Sequence, residues 1–445
     1  MTILIKGGTV VTADEHALPA IADILIEGNR ISAIAPNIEA NHAEVIDAAG
    51  ALVMPGLIDT HTHSWQHAFT GGLVRGKGFL DYVAKFELYR VRFSAEDARQ
   101  AVRGCSLAQL DAGVTGVIDF VHGANHTPEH VQAMVEAHSS TGQRTLMAIG
   151  NTGAVNGAAD PKAFEASRQQ RLEIVEQLAR SNSDSLVRAG LALLTPTAEH
   201  TQRVLDEIDF GRTLGLQMSV HQNRPGEISM LHEAGRLGPD LVVVHSNTAN
   251  VEEIETLAET ATALSSTPES EVGAGWSPHI MRRALRRGVN VGLGIDTPST
   301  QPVDLWQQIR VLMLLMNALD SEAARQVGRY PIDSKLDSST LSYERALQTA
   351  TRGGAHCLRG SADELGVLVP GAIADVIVVR PNNRDVALHD PAPYLVQYGS
   401  ASQVETVVVD GVVRKKNYSL VDVDVDELAA ANRAVRNRVM MVEAR

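Results

Sequence analysis

The chain has 445 residues, 44% hydrophobic and 21% charged, which suits a large core domain plus a small accessory one. With 39 Lys and Arg against 53 Asp and Glu its formal charge is −14, spread along the chain, which excludes the basic surface a nucleic-acid partner needs. Two distant cysteines, Cys105 and Cys357, exclude a disulfide framework and a thiolate metal site, and no run approaches the roughly 20 apolar residues that span a bilayer.

The opening MTILIKGGTVVTADE lacks the basic-then-apolar pattern of a signal peptide, so a cytoplasmic protein is expected. Short strands follow one another at 3–5, 9–12, 23–26 and 30–34, with a hairpin signal at Gly28-Asn29. These are too few for a domain, and the β-branched runs 375–379 and 404–409, with a turn at Asp410-Gly411, supply the missing strands. A small β-sandwich built from both chain ends is expected, comprising residues 1–54 and 362–422. Between them, β-rich runs at 56–63, 116–120, 145–149, 187–194, 217–221, 241–245, 263–266 and 291–296 alternate with helical stretches such as 95–110, 127–140 and 163–180. This alternation predicts an α/β fold in which a (β/α)8 barrel occupies residues 55–361, with its site at the C-terminal ends of the strands. The tail, 423–445, carries Leu428, Ala431, Val435 and Val439 near helical spacing and reads as a closing helix.

His61 and His63 end the first barrel run two residues apart, so both imidazoles leave the same face of the strand and suit a metal. His221, His245 and Asp296 end three further apolar runs, and a carboxylate directly after a buried strand needs a cation. The motifs PGLIDTHTHSWQ (55–66), GLGIDTPST (292–300) and LGVLVPGAIADVIVV (365–379) join these strand ends. With them the chain resembles the amidohydrolase superfamily, in its atrazine/triazine hydrolase and cytosine-deaminase-like branch.

The resemblance implies that His61, His63, His221 and Asp296 hold one divalent transition metal, zinc first, with iron, manganese or cobalt as alternatives. It implies that His245 polarises the substrate or adds a ligand, and that Asp296 also serves as general base. Binuclear relatives bridge two metals with a lysine or an acidic residue on the fourth strand; Leu191 to Pro196 contain neither, which favours one metal. Deaminases of the branch carry a glutamate three residues after the fifth-strand histidine, where this chain has Arg224; Glu227, Glu269 or Glu271 are the candidates to replace it. Trp65, Gln66, His122, Arg224, Glu269 and His279 are expected to meet the substrate, and Arg75, Lys77, Lys85, Arg90 and Arg92 form a basic cluster that reads as a solvated face. The reaction expected is hydrolysis of a C–N bond in a small amide, urea, carbamate or nitrogen heterocycle, acyl bonds preferred. The alternatives are deamination of a heterocyclic amine and a dehalogenating or thiocarbamate hydrolysis. The resemblance also implies a homodimer or homotetramer.

Overall fold

The computed structural model describes residues 2–12, 18–72, 79–151, 161–181, 185–197, 200–277, 279–329, 340–358, 364–382 and 390–440. Five strands open the chain: β1 (Thr2–Val10), β2 (Ala20–Glu27), β3 (Arg30–Ala35), β4 (Glu44–Asp47) and β5 (Leu52–Pro55). Eight follow as the barrel: β6 (Leu57–Thr62), β7 (Val114–Val121), β8 (Arg144–Ile149), β9 (Val187–Leu193), β10 (Met218–Gln222), β11 (Leu241–His245), β12 (Ala263–Ser266) and β13 (Val291–Leu293). The last four are β14 (Val376–Val379), β15 (Val404–Val409), β16 (Val412–Lys416) and β17 (Ser419–Leu420).

The eight barrel strands close on themselves in parallel register, β13 meeting β6. The other nine form one mixed sheet in the order β17-β16-β15-β14-β5-β1-β2-β3, with β4 beside β1. Its centre is the junction of the two chain ends, where β14 runs antiparallel to β5 and pairs Val376 with Pro55. Ile3, Ile5, Ile24, Val53, Val376 and Val408 fill a core of their own beneath this sheet, separate from the larger core of the barrel and its helices.

Two sequence expectations shift. Run 3–5 and the first half of run 9–12 belong to one strand, because Gly7 takes a positive φ of 73° and bulges β1 instead of ending it. The eighth barrel strand ends at Leu293, three residues before Asp296, which returns to β6 as a single bridge to Thr62. A Cβ on Gly294 would stand 2.8–2.9 Å from the His61 backbone and Cβ, so the chain passes too close to β6 for a side chain there.

The sheet and barrel are joined by Arg144 at the start of β8. Its Nε donates to Asp375 Oδ2 (2.9 Å), and its second guanidinium nitrogen donates to Asp375 Oδ1 (3.1 Å) and Asp410 Oδ1 (2.8 Å). The closing helix, Val425–Met440, buries Val435 and Val439 and sets Arg438 on Asp97 of the helix Ala95–Asp111. Both cysteines are buried, and among the described residues no helix is long and apolar enough to cross a membrane.

Candidate metal centre

Three backbone clamps bring the ends of β6 and β13 together. Asp296 N donates to His61 O (2.8 Å), His63 N donates to Asp296 O (2.9 Å), and Asp59 Oδ1 accepts from both His61 N and Ile295 N (3.1 Å each). Gln109 donates to the other oxygen of Asp59 at 2.8 Å. Asp296 and His245 both sit in the left-handed region, with φ of 70° and 66°, a conformation that costs a non-glycine residue about 1 kcal/mol or more. Held this way, their side chains turn back over the barrel mouth.

The ligating atoms form two triplets sharing His61. One is His61, His63 and Asp296 and the other His61, His221 and His245, each with atoms within 4.8 Å of one another. His61 Nε2 lies 3.2 Å from His221 Nε2, and Asp296 Oδ1 lies 3.5 and 3.4 Å from Nε2 of His61 and His63. Phe120 packs edge-on or tilted against these rings from below, its centroid 4.3 Å from that of His221.

His63 donates Nδ1–H to Phe120 O at 2.7 Å, so in the neutral ring its Nε2 lone pair points at Asp296. Burial lowers the pKa of His61 to about 3, and burial with neighbouring imidazoles holds His221 well below the usual range, so those two rings are neutral. For Asp296, burial opposes the charge, but His61, His63 and His245 outweigh it and keep the carboxyl ionised. With His61 and His221 as Nδ1–H tautomers, their Nε2 lone pairs would face each other and a carboxylate across 3.2–3.5 Å, an arrangement that a cation between them would stabilise. The donor set, imidazole nitrogens and one carboxylate, fits a divalent transition ion.

His245 is held from behind. Thr267 Oγ1 lies 3.0 Å and Glu271 Oε1 3.6 Å from its Nδ1. Burial works against the protonated ring, yet the nearby carboxylates of Glu271 and Asp296 raise its pKa. Ser270, between Glu269 and Glu271, donates its hydroxyl to Asp296 Oδ2.

The Amidohydrolase family model matches residues 52–414. The chain belongs to the amidohydrolase family. This amidohydrolase is 26% identical to a 5-methylthioadenosine/S-adenosylhomocysteine deaminase of Thermococcus kodakarensis, over 93% of this chain and 94% of that one. It is 26% identical to a 5'-deoxyadenosine deaminase of Methanothermobacter thermautotrophicus over 87% and 88%. In fold it resembles a mutant of atrazine chlorohydrolase from Arthrobacter aurescens TC1 complexed with zinc and atraton (TM-score 0.82, 24% identity, 98% and 100% covered). It also resembles a zinc-bound adenosine deaminase from Xanthomonas campestris (TM-score 0.81, 19% identity, 99% of each chain).

Several residues expected at the substrate lie elsewhere in the amidohydrolase. Trp65 is 1% exposed, packed among Phe69, Phe86 and Phe93, because the short helix Ser64–Phe69 turns it into the core. Gln66 is fully buried: its amide donates to Tyr82 OH (2.8 Å) and accepts from Ser299 Oγ (2.9 Å). Both carboxylate oxygens of Glu269 accept from the glutamines Gln307 (2.8 Å) and Gln308 (3.0 Å) of the helix Leu305–Gln326. His279 is exposed at the start of the helix His279–Arg287. Arg224 is exposed on the loop after β10, and Glu227 folds back only to accept from Asn223 N (2.8 Å) and Arg224 N (3.0 Å).

His122, in contrast, stacks on His63 with centroids 4.2 Å apart. Of the basic cluster, Lys85 pairs with Asp81, Arg90 with Glu87, and Arg92 donates to Val439 O; Arg75 and Lys77 lie outside the described residues. Sequence reading missed the supports of the site. Asp119 Oδ1 accepts from Ser64 N (3.0 Å), beside His63, and its Oδ2 from His138 Nε2 (2.9 Å), while Ser106 Oγ lies 2.9 Å from His138 Nδ1. It missed Ser270, Phe120 and Trp276 as well, the last edge-on to His245 at 5.3 Å.

Proposed function

We propose that this amidohydrolase hydrolyses a C–N bond of a small molecule, other than a peptide bond, using a single divalent metal, zinc in the first place, held by His61, His63, His221 and Asp296. The observation that carries this reading is the convergence of those four side chains at the strand ends while the end of β9, Leu193-Leu194-Thr195, offers no bridging group for a second ion. A bound ion would supply Lewis acidity and a water of pKa about 7. Asp296, ionised, accepts a proton from the nucleophile and returns it to the leaving nitrogen. His245, braced by Thr267 and Glu271, donates a hydrogen bond to the substrate oxygen or ring nitrogen on which charge develops. His122 and the half-exposed Trp276 flank the opening and favour a flat substrate group. The same reading divides the chain after residues 54, 361 and 422 and treats the protein as a cytoplasmic homodimer or homotetramer.

Acyl C–N bonds are the first choice, since Arg224 stands at the sequence position where deaminases of the branch carry a glutamate. Deamination of a nitrogen heterocycle is the second reading, favoured by the names of the relatives and by Glu271 beside His245. Metal analysis and a substrate panel test both. We expect one metal per chain, turnover lost on chelation and restored by Zn2+, and faster cleavage of amides, ureas or carbamates than of aminopyrimidines or 5'-deoxyadenosine. Two metals per chain would overturn the single-ion reading. Dominant ammonia release from the ring amines, stopped by Glu271→Gln, would establish the second reading over the first.

A further inference from the structure

We infer that Ser270 is a positioning residue for the reaction, fixing the angle at which the Asp296 carboxylate faces the histidines. The inference rests on the reading of Asp296 as metal ligand and base.

The backbone of Asp296 is immobilised by His61 O on one side and His63 N on the other, and by the amide of Ile295 on Asp59. What remains free is rotation about the bond carrying the carboxylate, which in aspartate is broad and roughly two-fold. A half-turn only exchanges equivalent oxygens, but a partial rotation would swing the oxygen that faces the ligand cluster away from it. Ser270 opposes that rotation. Its hydroxyl donates to Oδ2, leaving Oδ1 as the oxygen 3.5 and 3.4 Å from His61 and His63.

The hydroxyl comes from a support that cannot drift. The helix Pro268–Gly273 is tied to the helix Leu305–Gln326 through Glu269, whose amide donates to Gln308 Oε1 (3.0 Å) and whose carboxylate accepts from Gln307 and Gln308. On its other side Glu271 accepts from Thr267 N (2.8 Å) and Ser266 Oγ (3.1 Å). Three consecutive residues thus dock the helix, orient Asp296 and brace His245. Ser270 is 9% exposed, so water competes poorly for its hydroxyl.

The test uses Co2+-loaded full-length protein, whose visible absorption reports ligand geometry independently of turnover. Ser270→Ala should alter that spectrum and lower kcat about tenfold to a hundredfold, the size of a hydrogen bond to a charged group. KM and the thermal midpoint should stay near wild type, and Ser270→Thr, which keeps the hydroxyl, should restore spectrum and rate. A Ser270→Ala variant with the wild-type spectrum and rate overturns the inference. So does a loss that tracks a lowered midpoint, or a Ser270→Thr variant equally impaired at equal stability. Wild-type protein that binds Co2+ but hydrolyses nothing in the panel overturns the functional reading alone, and the spectra still decide on Ser270. Wild-type protein that binds no Co2+ overturns both.

Discussion

Asp296 combines a left-handed backbone with an ionised, buried carboxylate, and those two properties can be separated by one substitution. Asparagine tolerates a positive φ better than most residues, so Asp296→Asn should fold with a thermal midpoint close to wild type. It removes the proton acceptor, and turnover should fall by about 10²–10⁴. A fully metallated Asp296→Asn enzyme that retains wild-type kcat would take Asp296 out of the chemistry. Asp296 and the four histidines were legible because each ends an apolar run, a pattern that one-dimensional spacing exposes. Ser270, Asp119 and Phe120 were not, because their importance lies in what they touch across the barrel: Ser270 meets Asp296 from 26 positions away and Asp119 meets Ser64 from 55. Trp65 misled for the opposite reason. Its neighbours in sequence are candidate metal ligands, while its ring is taken by Phe69, Phe86 and Phe93.

At the scale of the element, the end of β13 depends on a missing side chain. Gly294 is not in the left-handed region, so alanine there is opposed by the close approach of His61 and not by backbone strain. Gly294→Ala should push β13 from β6, separate Asp296 from His61 and His63, and weaken metal affinity about tenfold or more, the scale on which supports of a ligand act. Isothermal titration with Zn2+ would measure it; unchanged affinity would mean that the two strand ends need not lie so close. The eight strands themselves were readable as alternating apolar runs, but the point where β13 stops was not. The strand ends at Leu293 although the apolar sequence continues to Ile295, and Asp296 rejoins β6 as a single bridge to Thr62.

For the whole molecule, acid and the joint between sheet and barrel offer two measurements. The folded metal-free protein resists a proton on His61 until about pH 3, whereas the unfolded chain accepts one near 6.5. Stability of the metal-free protein should therefore fall as pH drops from about 6.5 towards 3, by up to about 1.4 kcal/mol per unit for that histidine. Urea melts at pH 7.5 and 5 would show it, and a flat profile would mean that the buried ring takes its proton readily. Arg144→Ala strands Asp375, which is 2% exposed, without its cation and should cost about 3 kcal/mol or more in the same melts. A change below about 0.5 kcal/mol would place that joint among ordinary surface pairs. The sequence disclosed that the two chain ends share a domain; it did not disclose that Arg144 pins this domain to the barrel, since an arginine opening an apolar strand carries no sign of its partner.

The meeting of β5 with β14 sets a timetable. Val376 pairs with Pro55 across more than three hundred intervening positions, and β1 joins the same sheet through β5. A growing chain emerges from the ribosome with β1, β2 and β5 already made, yet the neighbour they await is synthesised only after the whole barrel. At about 5–20 residues per second that interval is roughly 15–60 seconds, during which the apolar edge of β5 has no neighbour on that side. Closing so long a loop is slow compared with forming local helices. The accessory sheet should consequently be the last part to mature, and newly made protein should depend on holding factors or low temperature for yield more than its final stability would suggest.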